Sequence, residues 1–385
     1  MTMRLLLVGS LLGCCTMAAW AGEGFVRRSG TQLLDGGRPV RLVSFNKYNL
    51  FWSFIEGGEK AKQARESLAL ARSHGFTVIR TSAVPYWPRD ARAWAAGASY
   101  WKRADECLAA AREQGIKLIL TVNWQHQLFP DLAGETVQDM LTDRESRSWQ
   151  MLALYTSQLV GRYKDDPTVF MWEISNELNL GADLEFMHPY GWVREDGQPL
   201  DLGVPVAYTA RDNYRTEHMI GYVRDLARLI RKTDGNHLIG SGYSVPRAAA
   251  AHLRANPAHG DWSLDSEQET LALLRETHPD PVDCISIHIY PGDMLHWGKK
   301  GDAPGIVRTL KAMCDRIGKP VYIGETGDAP PRLAFTEGVM RAAMEVGIPL
   351  TLAWQWDTPE DRENNYTPTT EPELIRLMEE LNRGR

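Results

Sequence analysis

Eight times between residues 38 and 382, a short and nearly continuous apolar run is followed by a longer amphipathic stretch closed by a helix-stop signal. The strand stretches are 38–46, 76–82, 116–122, 168–175, 237–240, 283–290, 320–324 and 349–355. The helix stretches are 59–73, 99–114, 144–163, 211–233, 265–277, 303–317, 332–346 and 371–382. Ile116-Lys117-Leu118-Ile119-Leu120-Thr121-Val122 is apolar nearly throughout, as a strand covered by helices should be. Strict alternation over this length predicts one α/β domain over 22–385, folded as a (β/α)8 TIM barrel, with a doubly wound open sheet as the alternative. A small hairpin turning at Asp35-Gly36-Gly37 precedes the first strand.

Gly75, Gly115, Gly318 and Gly347 each end a helix one or two residues before the next strand. Such short returns leave the longer connections at the carboxyl ends of the strands, where a site can be built. The longest follows strand four, 178–210, and contains Asp183, Glu185, His188, Tyr190, Trp192 and a hairpin around Asp196-Gly197. Its length predicts a wall of a substrate cleft.

Two apolar strands end in a glutamate: Phe170-Met171-Trp172-Glu173-Ile174-Ser175-Asn176-Glu177 and Val321-Tyr322-Ile323-Gly324-Glu325. As strands four and seven they face one another across a barrel mouth. Hydrolysis of a glycoside with retention needs such a pair, an acid/base and a nucleophile about 5–5.5 Å apart. Glu325, as nucleophile, must stay ionised, and Arg80 at the end of strand two and Tyr290 on strand six could supply charge and a hydroxyl. Glu177, as acid, must be protonated at rest, which burial and a negative neighbour favour. Glu173 is expected to be a barrel-interior partner of Arg80, and Trp172 and Trp356 to be core. His126 and His188 are polar loop residues within reach of a sugar.

Composition narrows the classes. Charged residues at 24%, a net charge of −6 and a pI near 6.0 describe a soluble globular chain without a basic stripe, so no nucleic-acid partner is expected. The 13 Trp and 13 Tyr suit sugar stacking, though at least half are expected in the core. No His-Glu-x-x-His, no Gly-rich phosphate loop and no Gly-x-Ser-x-Gly elbow occurs, so neither metal nor cofactor is expected. Arg4, the apolar run Leu5–Leu12 and Ala19-Trp20-Ala21 predict a signal peptide over 1–21 and export. The competing pattern Leu11-Leu12-Gly13-Cys14 would make Cys14 a lipid anchor. The apolar run is too short to stay in a bilayer as a transmembrane helix. Cys107, Cys284 and Cys314 allow one bridge at most and are expected to be buried thiols in a chain acting as a monomer.

Asn176-Glu177, Glu325, Arg80, His288-x-Tyr290 and Trp354, in that strand order, resemble the signature set of glycoside hydrolase clan A, most closely the cellulase/mannanase family 5. The likeness runs over essentially the whole mature chain, including Phe25–Thr31 and Phe45-Asn46. It implies Glu177 as acid/base and Glu325 as nucleophile. It further implies Asn176 on the sugar 2-hydroxyl, His288 and Tyr290 orienting the carboxyls, and Trp354 under the −1 sugar. Asn123-Trp124 after strand three is similar to the mannanase branch and joins the substrate-binding set. Leu178 departs from the family, which usually has Pro there. The expectation is a secreted retaining O-glycoside hydrolase that cleaves a β-linked glycan, β-1,4-mannan or a related β-glucan, by double displacement. An exo-acting β-glycosidase and a non-catalytic carbohydrate-binding barrel are the alternatives.

Overall fold

Eight parallel strands form one sheet: β1 (Leu42–Asn46), β2 (Val78–Ser82), β3 (Lys117–Thr121), β4 (Val169–Glu173), β5 (Leu238–Gly240), β6 (Ile285–Ile289), β7 (Val321–Thr326) and β8 (Leu350–Ala353). Their order in space is β5-β4-β3-β2-β1-β8-β7-β6, and a parallel bridge between Gly240 and Cys284 joins the two ends into a barrel. The computed structural model describes residues 24–85, 90–184, 212–297, 299–300, 302–328, 333–360 and 365–384. The expected leader with Cys14, and Glu185, His188, Tyr190, Trp192 and the Asp196-Gly197 hairpin, lie outside the described residues.

One long helix follows each strand: α1 (Gly58–Ser73), α2 (Ala98–Glu113), α3 (Arg147–Tyr163), α4 (Thr216–Thr233), α5 (Glu267–Thr277), α6 (Ala303–Ile317), α7 (Leu333–Val346) and α8 (Pro372–Arg383). Local chemistry sets their starts. The Ser146 and Asp302 side chains accept from main-chain N–H groups in the first turns of α3 and α6, and Ser266 and Glu269 form a capping box on α5. At the other end of α6, Gly318 takes φ 84° and turns the chain back toward β7. The expected alternation therefore stands as the barrel. The βα loops also carry short helices that its periodicity did not reveal, among them Leu50–Glu56, Leu128–Ala133 and Ala250–Ala255. The reason is length: five to seven residues are under two turns, too few to show a period.

The expected strand 38–46 is broken in two. Arg38–Pro39 pairs back on Gln32–Asp35 around Gly36-Gly37, both with positive φ as a two-residue turn requires, and only Leu42 onward joins the barrel. This hairpin is a plug. Its Val26, Leu33 and Val40 bury against Leu42, Val78, Ile119, Met171, Tyr322 and Leu350 at the amino-terminal end of the barrel. With that end closed by apolar side chains, the polar interior, among the described residues, opens at the carboxyl ends of the strands.

Candidate active site

Arg80, on β2, is the centre of the polar interior and has no exposed side-chain surface. Its Nε donates to Glu173 at 2.7 Å, and one terminal nitrogen donates to Glu325 at 2.7 Å and to Asn46 at 3.0 Å. The other terminal nitrogen donates to the Asn176 side-chain oxygen at 2.8 Å. Burial alone would lower the guanidinium pKa, but the charges of Glu173 and Glu325 outweigh it and raise it. Glu173 is completed by Thr121 and by the Tyr322 hydroxyl, at 2.7 and 2.6 Å. It is thus a saturated interior carboxylate, as its strand position suggested.

The two glutamates of interest meet above this centre. One carboxylate oxygen of Glu177, one of Glu325 and one ring nitrogen of His288 lie within 4.8 Å of one another. Tyr290 donates its hydroxyl to Glu325 at 2.8 Å, and His288 Nδ1 lies 3.0 Å from Glu177 and 3.4 Å from Glu325. Glu325 is nearly sealed, with 6% of its side chain exposed, whereas Glu177 exposes 29%. Burial pushes the Glu325 carboxyl above the ordinary range against the pull of His288; the Glu177 charge adds to the rise, and Arg80 and Tyr290 oppose it. Burial acts upward on Glu177 too, but the hydrogen bond and electrostatic pull of His288, with help from Arg80 and His126, draw its carboxyl below that range.

Local backbone geometry sets the aim of both carboxylates. The β4 ladder ends at Glu173, four residues before Glu177, earlier than the sequence implied, because the following N–H groups leave for other partners. Ile174 and Ser175 donate to Gly240 and Ser241, Asn176 to Asn123, and Glu177 to Gly242. Glu177 itself adopts φ 53°, ψ 27°, a left-handed conformation uncommon for a residue with a Cβ. Glu325 lies within β7 at a register irregularity, where Ile323 pairs with Ile287 but Glu325 pairs with His288. A side chain at Gly324 would come within 2.7 Å of His288 Nε2, so this strand position must be glycine for the imidazole to fit.

Around the carboxylates stand aromatic rings. Trp354, half-buried after β8, stacks on Tyr48 at 5.8 Å and on Trp124 at 6.1 Å, and the Arg80 guanidinium lies over Trp124 at 4.6 Å. Asn123 stands apart from the other expected sugar contacts: it is fully buried, with its amide given to the Tyr222 hydroxyl at 2.6 Å. Arg80, Asn176, Glu177, His288, Tyr290, Glu325, Trp124 and Trp354 are otherwise gathered at one mouth. Trp172 and Trp356 are fully buried, as expected of core. Tyr48, Tyr322 and the amide of Asn46 complete the arrangement and were not singled out for it. The signal for Asn46 was its place at the end of β1, paired in register with Arg80.

Glu177, His288 and Glu325 are also a candidate metal cluster by distance, as are His252, Asp265 and Glu269. In the first, Arg80 already supplies a positive charge at Glu325. In the second, Asp265 accepts from His252 at 2.7 Å and from the Ala251 N–H, and Glu269 closes the α5 cap.

A closed barrel whose open end holds two facing carboxylates, a buried arginine and a stacked tryptophan defines a glycoside hydrolase acting on β-linked glycans. A family model, cellulase (glycosyl hydrolase family 5), matches residues 35–359, and the chain belongs to that family. Mannan endo-1,4-beta-mannosidase 7 of Arabidopsis thaliana is 27% identical over 348 residues, spanning 81% of this chain and 70% of that protein. Mannan endo-1,4-beta-mannosidase 4 of Oryza sativa subsp. japonica is 25% identical over 338 residues, 80% of this chain and 64% of that protein. The crystal structure of the endo-1,4-beta-mannanase from Rhizomucor miehei shares the fold with a TM-score of 0.63 at 20% identity, covering 93% of this chain and 99% of that one.

Proposed function

We propose that this protein is an exported, retaining glycanase that cleaves β-1,4-mannan, with Glu325 as nucleophile and Glu177 as acid/base. The observation that carries this reading is the close approach of the two carboxylates, within 4.8 Å oxygen to oxygen. That suits direct attack on the anomeric carbon; an inverting enzyme keeps its carboxyls about 6.5–9.5 Å apart to admit a water between them.

The partners of each carboxylate support the division of roles. His288 lies nearer to Glu177 than to Glu325, at 3.0 against 3.4 Å, while Glu325 is held by Arg80 and Tyr290, the partners a nucleophilic carboxylate needs. Glu177 is the carboxyl with the greater opening to substrate, and in this reading it is the one that carries a proton to the leaving oxygen. Glu325 attacks the anomeric carbon as Glu177 gives its proton to the leaving oxygen. A glycosyl-enzyme ester forms on Glu325, and Glu177 then takes a proton from the incoming water. The stacked Trp354 offers an apolar floor to the sugar in between.

Mannan as the substrate is supported by the names of the relatives in Arabidopsis and rice and by the Asn123-Trp124 pair. Export is supported by the apolar segment after Arg4. Among the described residues no helix is long and apolar enough to cross a membrane. All the groups named come from one chain, in keeping with a monomer over 22–385.

A 2-fluoro-mannoside with a good leaving group, followed by peptide mass mapping, tests the mechanism. A stable adduct on Glu325 is expected. Labelling elsewhere, or turnover with inversion of the anomeric centre, would overturn it. Hydrolysis of β-glucan in preference to β-mannan, in a panel of purified polysaccharides, would remove the substrate assignment and leave the mechanism standing.

A further inference from the structure

We propose that Asn179 is a positioning residue for the acid/base: its amide clamps the turn after Glu177 to the main chain of Ser244 and so fixes the aim of Glu177 against His288. This rests on the reading of Glu177 given above. The clamp is made of two bonds. The Asn179 side-chain N–H donates to the Ser244 carbonyl at 2.9 Å, and the Ser244 N–H donates to the Asn179 side-chain oxygen at 3.0 Å. One side-chain amide thus takes both main-chain polar groups of a single residue, as a partner residue does in an antiparallel ladder.

The place where β4 stops explains why a side chain is used. Past Glu173 the chain leans on the segment that continues β5: Ile174 donates to Gly240 at 3.0 Å, Ser175 to Ser241 at 3.3 Å and Glu177 to Gly242 at 2.8 Å. Gly242 has φ +73°, and a Cβ there would fall 1.7 Å from the Ser175 carbonyl, so this close approach needs glycine. At Glu177 the backbone turns left-handed and enters one short 3-10 turn, Leu178–Gly181, in which the Leu180 N–H donates to the Glu177 carbonyl at 3.0 Å. The chain is now leaving the sheet, and a left-handed residue persists only where its surroundings impose it. Asn179 carries the pairing with the β5 segment one step further, through its side chain. From the other side, the Tyr214 hydroxyl donates to the Leu178 carbonyl at 2.6 Å.

Ser244 is also tied to the residue that faces the acid/base. Its hydroxyl donates to the His288 carbonyl at 3.2 Å, and the Val245 N–H donates to the same oxygen at 3.0 Å. His288 in turn sets its Nδ1 3.0 Å from the Glu177 carboxylate. The contacts close a ring: Glu177, Asn179, Ser244, His288 and back to Glu177. Both sides of the Glu177–His288 contact are therefore located from one residue. An uncharged amide suits this task because it presents a donor and an acceptor side by side, whereas a carboxylate only accepts.

The test uses Asn179→Ala, which removes both bonds, and Asn179→Asp, which keeps the shape but turns a carboxylate oxygen toward the Ser244 carbonyl. Each is assayed on a mannan oligosaccharide and on an activated aryl mannoside, or on the matching gluco-configured pair if the polysaccharide panel points to β-glucan. The fluoro-glycoside, which needs Glu325 but no proton from Glu177, counts the folded sites in each variant. For Asn179→Ala, kcat/KM per folded site on the oligosaccharide should fall about 100-fold, the scale of a misplaced general acid. The aryl substrate, whose leaving group needs no proton, should fall only a few-fold. Asn179→Asp should show the same split, and it carries the test if the alanine variant does not fold. Equal losses on both substrates, or none on either, would overturn the proposal. Glu177→Ala is run alongside. If it spares the aryl substrate and the Asn179 variants do not, only the positioning role has failed; if Glu177→Ala loses both alike, the acid/base assignment has failed and this proposal with it.

Discussion

Arg80 and Glu325 form an ion pair of 2.7 Å in which the guanidinium is wholly buried and the carboxylate nearly so. The same guanidinium neutralises Glu173 on its other edge, so one cation serves two interior carboxylates. Four directed hydrogen bonds from one planar group cannot be reproduced by an ammonium. Arg80→Lys is therefore expected to fold but to lose at least about 100-fold in kcat, because Glu325 and Asn176 are no longer oriented together. Arg80→Met leaves two buried negative charges unpaired and should lose about 3–5 kcal/mol of stability at neutral pH. Urea unfolding checks the second statement. A Met variant as stable as the parent would show that the pair is not needed by the fold.

Tyr290 offers a cleaner handle on the nucleophile, since its hydroxyl contributes one bond to Glu325 and nothing to Glu173. Burial raises the Glu325 pKa, and the Tyr290 bond favours the charged form and lowers it. The sign follows: nucleophilic attack requires the ionised carboxylate, so the rate of fluoro-glycoside inactivation falls as pH drops through that raised pKa. The acid limb should lie above the ordinary carboxylate value of about 4.3. Removing the hydroxyl in Tyr290→Phe should move the limb to still higher pH and slow inactivation at pH 5 more than at pH 7. An unmoved limb would detach Tyr290 from the ionisation of Glu325.

Much of this was legible in the sequence, for identifiable reasons. Period and punctuation gave the barrel, because a buried parallel strand must be apolar on both faces and a returning helix must stop. Glu177 and Glu325 stood out because a carboxylate at the end of such a strand has no structural excuse. Asn123 looked like a sugar contact by its place beside Trp124, but a strand-end side chain can point out to the mouth or back to the helices, and it points back to Tyr222. Tyr322 was read as part of an apolar run, although its hydroxyl completes Glu173 from across the barrel. Such contacts span residues far apart in the chain, and no local pattern encodes them. The hydrogen bond from the Glu177 N–H to the Gly242 carbonyl was hidden for the same reason, since the two residues are distant in sequence.

Asp234 shows the same long-range logic at the opposite end of the barrel. One of its oxygens accepts from the Trp172 indole and from His237, both at 2.6 Å, and the other accepts from the Asn236 and His237 main-chain N–H groups. Burial opposes its charge, but the His237 bond and charge, the indole and the main chain outweigh that and hold its pKa below the usual range. A depressed carboxyl stabilises the fold above its unfolded pKa and loses that contribution as pH falls through the folded value. Asp234→Ala should therefore cost about 3 kcal/mol at pH 7, and less at pH 3, with kcat of the folded enzyme unchanged. Urea unfolding at the two pH values checks it; a constant difference would mean that charge is not what Asp234 contributes.

His278 should make stability fall on mild acidification. It is buried beneath the β5–α5 connection, where its Nδ1 donates to the Leu274 carbonyl at 2.7 Å and its Nε2 faces the Ser241 hydroxyl at 3.0 Å. Burial pushes the ring down to about 4; the Leu274 carbonyl works against that and the Lys319 charge with it. An unfolded histidine titrates near 6.5, so between about pH 6.5 and pH 4 the unfolded chain binds a proton that the native one refuses. Unfolding is favoured as pH drops through that window, by about 1.4 kcal/mol per pH unit and about 3 kcal/mol in all. His126, also held down to about 4, adds a second proton of the same sign. His278→Asn can keep the bond to Leu274 while removing the titrating group. Its unfolding free energy should lose one proton's worth of slope between pH 6 and pH 5. If parent and variant fall in parallel over that interval, the native ring binds its second proton as readily as the unfolded one, and the neutral, hydrogen-bonded state assigned to it here is wrong.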